Sequence, residues 1–221
     1  MNLPRTILFA GPSTFELERS LFDGLEVFPP AKRGDVERLV SDRTFGHGST
    51  LLLADGIFHS HPSVGHVELR RAMTIGASVW GVSSMGAIRA AELRSVGMRG
   101  FGAVYERFVS DPDFRDDEVA LLHGPNYPYH PLSEPLIHLR SSTKSLVQRE
   151  IINEDQAASI LHNRSSCWFG DRTRAKHVDE LAKELECSRR DCEMHLGDYG
   201  PHRIKNQDLS AFLKARPWSV M

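Results

Sequence analysis

Short apolar runs alternate with amphipathic stretches through the first half of the chain. "TILFAG" (Thr6–Gly11) has the length and composition of a buried strand. It ends in Gly-Pro-Ser, and "STFELERSLF" follows with apolar residues at helical spacing, Ser13 placed to cap the helix and Glu16 to complete a capping box. "LEVFPP" predicts a second strand, closed by Pro29 and Pro30, and "GDVERLVSD" a helix with Asp35 in its first turn. "TLLLADGIF" predicts a third strand ending near Asp55-Gly56, and "SVGHVELRRAM" a helix with Ser63 as its cap. "ASVWGV" predicts the fourth strand, and "MGAIRAAELRS" the helix after it. Strands alternating with helices imply right-handed βαβ units and a mostly parallel sheet.

After Gly97 the pattern changes. "GMRGFGAVYERFVSD" is glycine-rich and then helical. "DPDFRDDEVALLHGP" is densely acidic, then carries a short apolar run of the kind that forms an edge strand. From about Thr143 onward, "STKSLVQREIINEDQAASILHNR" and "TRAKHVDELAKELECSRRD" both space their apolar residues as helices do. The expected architecture is therefore an α/β core with a mostly parallel sheet and flanking helices over residues 1–140, followed by a C-terminal helical extension over 141–221.

Composition narrows the partners. With 221 residues, 40% of them hydrophobic, the chain can bury a sizeable core. Lys and Arg number 27 against 29 Asp and Glu, a net charge of −2, which calls for neither nucleic acid nor a membrane surface. The first apolar run is too short for a signal peptide and no later one is long enough to span a bilayer. Cys167, Cys187 and Cys192 form no CxxC pair and no even framework. A cytoplasmic location is expected, with the thiols structural rather than redox-active or metal-binding. The sequence leaves homo-oligomerisation open.

In an open parallel sheet, ligands bind beyond the carboxyl ends of the strands. The four predicted strands bring four loops to that edge: Gly11, Pro12 and Ser13 after the first; Lys32, Arg33 and Asp35 after the second; Asp55, Gly56 and Phe58 after the third; Ser83, Ser84, Met85 and Gly86 after the fourth. A serine at the turn from the fourth strand into its helix stands at the positive end of that helix. The backbone N–H groups of Met85 and Gly86 are placed to hold an oxyanion. The same serines also suit plain helix capping. For a nucleophile the base is either a histidine (His59, His61 and His66 follow the third strand) or Lys32, the one lysine before Lys144. A lysine serves only when its amine is neutral.

Competing readings exist for each feature. Lys32-Arg33 also reads as a solvated pair and Asp55-Gly56 as an ordinary turn. His59-Ser60-His61 is half a metal site without the ligands to complete it. Asp111, Asp113, Asp116, Asp117 and Glu118 read as a solvated loop. Gly11-Pro12-Ser13 before a helix suggests a nucleotide-binding domain, but neither a P-loop nor G-x-G-x-x-G is present. No metal and no cofactor is expected.

"FAGPS", "PPAKRGD", "ADGIF", "GVSSMGAIRAAEL", "GMRGFGAVYERF" and "DDEVALLHGP" occur in this order, and together resemble the core of the TfuA-like family over roughly Ile7 to Pro125. The resemblance implies a hydrolase-like partner of a YcaO enzyme in backbone thioamidation of a peptide or protein. Such a partner cleaves the C-terminal thiocarboxylate of a ThiS-type sulfur carrier and supplies sulfide. It further implies a serine–lysine pair, carried here by Ser84 and Lys32, with Ser83 ranked second; the placement at the strand ends puts Gly11, Pro12, Ser13, Arg33, Asp55, Gly56 and Ser83 in a substrate-binding rim around them. The helical extension carries no motif that the resemblance assigns. A different class of function, a non-catalytic adaptor that docks YcaO and its peptide, rests on the apolar stripe of "HVDELAKELE" in that extension.

Overall fold

The computed structural model describes residues 4–219. Strands β1 (Thr6–Phe9), β2 (Glu26–Phe28), β3 (Thr50–Leu53), β4 (Ser78–Val82) and β5 (Arg99–Phe101) form one sheet in the order β2-β1-β3-β4-β5. Every neighbouring pair is parallel. The strand order reverses between β1 and β3, so the crevice beyond their carboxyl ends is the switch point of a doubly wound sheet.

Helices α1 (Asp35–Ser41), α2 (His66–Thr74) and α3 (Met85–Leu93) fall where the sequence pattern places them, and α4 (Ala103–Ser110) follows β5. The inner strands β1, β3 and β4 are apolar on both faces because both are covered. Ile7, Phe9, Leu51, Leu53 and Val79 share one cluster with Val36, Leu69, Ala90 and Leu93 of the helices. Leu8, Leu52, Trp80 and Val82 point the other way, onto Leu209, Phe212 and Leu213 of the last helix, α9 (Ile204–Ala215), and onto Trp218. The Phe212 ring lies 5.7 Å from Trp80, 5.2 Å from Phe101 and 4.7 Å from Trp218. Truncating it to Ala would cost about 3–5 kcal/mol.

This return of α9 changes the domain plan. One compact unit consists of the chain up to Arg115, Tyr127–Tyr129, and the chain from Lys205 onward. The other consists of Asp116–Asn126 and His130–Ile204. The structural division thus falls near residue 116 rather than 140, and the end of the expected extension belongs to the sheet.

The second unit is helical. Within it α5 (Leu136–Gln148), α6 (Glu154–Ser165), α7 (Arg174–Leu185) and α8 (Arg189–Leu196) enclose a core of Leu146, Ile160, Val178, Leu181, Cys192 and Leu196. Helices α6, α7 and α8 start on side-chain caps, in turn Asn153 with Gln156 in a capping box, Thr173, and Ser188. Part of the acidic set is ordered rather than solvated. Glu118 is buried against Arg140 at 2.7 Å, and Asp117 pairs with the fully buried Arg172 at 2.6 Å.

Three local expectations are corrected. "STFELERSLF" forms two short 3-10 turns, Pro12–Thr14 and Arg19–Phe22, instead of an α-helix. Glu16 takes a left-handed φ of 62°, and Ser13 bonds elsewhere. The edge strand beside β4 is Arg99–Phe101, not the apolar run after the acidic residues. Ser63 does not cap α2; Gly65 stands at that position, its N–H bonded to Glu68 Oε1 at 2.7 Å. Among the described residues no helix is long and apolar enough to cross a membrane.

His177 gives the helical unit an acid limit. Burial, helped by the charges of Arg164 and Arg174, holds its imidazole down at about 4 from the ordinary 6.5. The unfolded chain therefore binds a proton below pH 6.5 that the folded chain refuses. Stability present above pH 6.5 should be lost progressively toward pH 4, by up to about 3 kcal/mol. Urea unfolding followed by circular dichroism at pH 7 and pH 4.5 measures this. A His177→Gln variant should show a flatter pH slope, whatever its stability at pH 7.

Candidate active site

The site is built around one buried carboxylate. Asp55 follows β3 and is almost fully buried. Its Oδ2 accepts the N–H groups of Gly11 at 2.8 Å and Ser13 at 2.9 Å, and its Oδ1 accepts the Ser13 hydroxyl at 2.8 Å. The loop after β1 is thereby folded onto the end of β3. Gly11 is required there, since a Cβ would lie 2.3 Å from Pro30 Cγ. The backbone donors that would otherwise cradle a phosphate already answer to Asp55, which removes the physical basis of the nucleotide-binding reading.

The loop after β2 is stitched to the same place. The N–H of Ala31 donates to Asp55 O at 2.9 Å, and the N–H of Ile57 donates to Ala31 O at 3.0 Å. Lys32 comes next and is half-buried. Its backbone N–H donates to Asp35 Oδ2 at 2.8 Å, while Asp35 Oδ1 pairs with Arg38. Asp35 thus spends its charge on its own turn and on Arg38, and the Lys32 amine makes no ion pair among the described residues. Gly34, at a left-handed φ of 89°, gives its N–H to the buried Glu68 at 3.0 Å, which fixes the start of α1. Arg33 is exposed.

The two serines after β4 are both buried but differ in their hydrogen bonds. Ser83 is fully buried with a left-handed φ of 67°, a strained state for a residue with a Cβ. Its hydroxyl donates to Lys205 O at 2.8 Å. Ser84 stands at the N-cap position of α3, yet its side chain makes no capping hydrogen bond. Its carbonyl accepts the N–H groups of Ala87 and Ile88, so the backbone caps while the hydroxyl stays uncommitted among the described residues. The expected oxyanion pair is corrected by one member. The Gly86 N–H donates to Ala54 O at 3.1 Å, whereas the Met85 N–H has no backbone acceptor among the described residues.

That use of Gly86 follows from packing. A Cβ on Gly86 would fall 1.7 Å from Leu53 O, and one on Gly81 would fall 1.9 Å from Gly86 O. The helix is pressed against β3 and β4, which holds the Ser84 turn at the rim. Gly56 closes the ring, for a Cβ there would meet Met85 Cγ at 2.7 Å and Ala31 O at 3.2 Å. The loops of Lys32 and Ser84 therefore border Gly56 from two sides. The alternative bases are less secluded: His59, His61 and His66 are exposed, and His66 Nε2 lies 2.7 Å from Glu92.

Sequence reasoning missed Tyr129. Tyr127–Tyr129 leaves the helical unit's segment to join the sheet unit. Tyr129 has a left-handed φ of 54°, and burial plus the charge of Asp55 raises its phenol above the ordinary range. Arg19 stacks over Tyr127 at 5.7 Å. The signal in the sequence was "NYPYH", two aromatics around a proline in an otherwise polar loop.

A family model described as TfuA-like protein matches residues 55–173, more than half of the chain. The chain belongs to the TfuA-like family. No curated protein matches it. The matched span opens on Asp55 and contains Gly56, the Ser83–Gly86 turn and Tyr129. Gly11, Pro12, Ser13, Lys32 and Arg33 precede it. It also runs on into the helical part, beyond the Pro125 at which the motif resemblance stopped. In this TfuA-like protein, Asp55→Asn removes the charge that three buried donors share. The variant should lose about 2–3 kcal/mol in urea unfolding, and the Tyr129 phenol should titrate lower in an ultraviolet absorbance titration. An unchanged Tyr129 titration in a folded variant would separate the two residues electrostatically.

Proposed function

We propose that this TfuA-like protein acts beside a YcaO enzyme in backbone thioamidation, hydrolysing the C-terminal thiocarboxylate of a ThiS-type sulfur carrier to supply sulfide. The single observation that carries this reading is the division of labour at the strand–helix turn. Ser83 is tied to Lys205 O, and Ser84 keeps its hydroxyl uncommitted beside the open N–H of Met85.

The chemistry uses groups of this chain alone. The Lys32 amine takes the Ser84 proton as Oγ attacks the thiocarboxylate carbon. The Met85 N–H and the α3 terminus stabilise the oxygen anion of the tetrahedral intermediate. The Lys32 proton passes to sulfur, the C–S bond breaks, and hydrosulfide leaves an acyl-Ser84 ester. Water then attacks the ester with Lys32 again as base, releasing the carrier carboxylate and restoring the serine. The sum converts thiocarboxylate and water into carboxylate and hydrogen sulfide.

Sulfide release from a thiocarboxylated carrier tests the assignment. Ser84→Ala should abolish release and leave affinity for the YcaO protein unchanged. Lys32→Arg should fall as far as Lys32→Ala, about a hundredfold or more, because a guanidinium cannot act as base. Full sulfide release by Ser84→Ala would remove the hydrolase reading and favour an adaptor whose work lies in the helical unit.

A further inference from the structure

The helical unit holds a pair of sulfur atoms that the site does not use. Cys187 and Cys192 bring their Sγ atoms to 3.1 Å, with both thiols free. A disulfide bond is about 2.0 Å long, so a movement of about 1 Å separates contact from bond. The local backbone sets this approach. α7 ends at Leu185, Glu186 turns in a left-handed conformation with φ 51°, and Ser188 caps α8. Cys187 therefore sits in the turn, and Cys192 in the first turns of α8 points back at it.

The two thiols differ in surroundings. Cys192 is fully buried among Leu181, Leu196 and Ile160. Burial, and next the contact with Cys187, pushes its thiol up to about 12. Cys187 is partly open to solvent. Cys167 stands apart in the turn after α6, its thiol donating to Arg164 O at 3.2 Å.

We propose that Cys187 and Cys192 form a reversible disulfide site, oxidised by two-electron oxidants of the peroxide class. Cys187 is the residue that meets the oxidant, because a thiolate must reach it and, of the two, Cys187 is the one partly open to solvent. Its thiolate attacks a peroxide oxygen, the O–O bond breaks, the proton given up by the thiol returns to the departing hydroxide, and Cys187 sulfenic acid and one water form. The Cys192 thiol then attacks the sulfenic sulfur, its proton leaves with the hydroxyl as a second water, and the S–S bond closes. Two thiols and one peroxide give one disulfide and two waters. A thiol reductant reverses the step. The site requires nothing of Ser84 or Lys32, so it stands whether or not the sulfide reading holds.

The test treats the folded full-length protein with hydrogen peroxide, quenches it, alkylates the remaining thiols under denaturing conditions and maps the peptides by mass spectrometry. The expected product is an intramolecular Cys187–Cys192 link that loses the mass of two hydrogens, with Cys167 still alkylated. Dithiothreitol should restore both thiols. Cys192→Ser should stop at a dimedone-reactive sulfenic acid on Cys187, and Cys187→Ser should slow oxidation of Cys192 at least tenfold. Circular dichroism confirms that each variant is folded. A link through Cys167, an intermolecular disulfide as the main product, or oxidation that begins at Cys192 would overturn the proposal.

Discussion

The carboxylate of Asp55 lies out of water at the end of β3, and the loop after β1 is folded onto it by two amides and a hydroxyl. A buried charge is tolerable only with such partners, each bond to it being worth about 1.5–3 kcal/mol. The carbonyl of the same residue takes the N–H of Ala31, which fixes the loop that carries Lys32. Gly56, next in the chain, has no side chain to hold Met85 and Ala31 apart. One residue pair, Asp55-Gly56, thus determines how three of the four rim loops meet.

The fourth loop depends on close approach of backbone to backbone. Gly81 and Gly86 let α3 press onto β3 and β4, and Gly86 spends its amide on Ala54 O. The turn between them is then too tight for ordinary backbone, and Ser83 absorbs the strain with a left-handed φ and a hydroxyl anchored on Lys205 O. The rigid neighbours leave the Ser84 hydroxyl without a hydrogen-bond partner among the described residues. This is the arrangement a nucleophile needs: a fixed position, an open amide beside it, and no competing hydrogen bond.

Much of this was legible because it is local. Strand and helix periods gave β1 to β4 and α1 to α3, and the parallel order put the four loops on one edge. What the sequence hid was long-range. Ser13 reads as a cap until Asp55, 42 residues away, claims it. Gly86 reads as an oxyanion donor until Ala54 takes its amide. The second sheet face is closed by α9 from the far end of the chain, so a linear boundary at 140 could not describe it. Tyr129 joins the sheet unit only through a three-residue return, which the aromatic pair around Pro128 marks as unusual but which no periodicity directs toward Asp55.

The central claim is that Ser84 alone carries the acyl group. The direct measurement is rapid-quench peptide mapping of the protein mixed with an excess of thiocarboxylated carrier. The peptide running from Ala72 to Arg89 contains both serines, and fragmentation distinguishes them. An acyl group on Ser84, appearing no later than free sulfide, is the predicted result. An acyl group on Ser83 or on any other residue, or sulfide release with no acylated residue at any time, would contradict it.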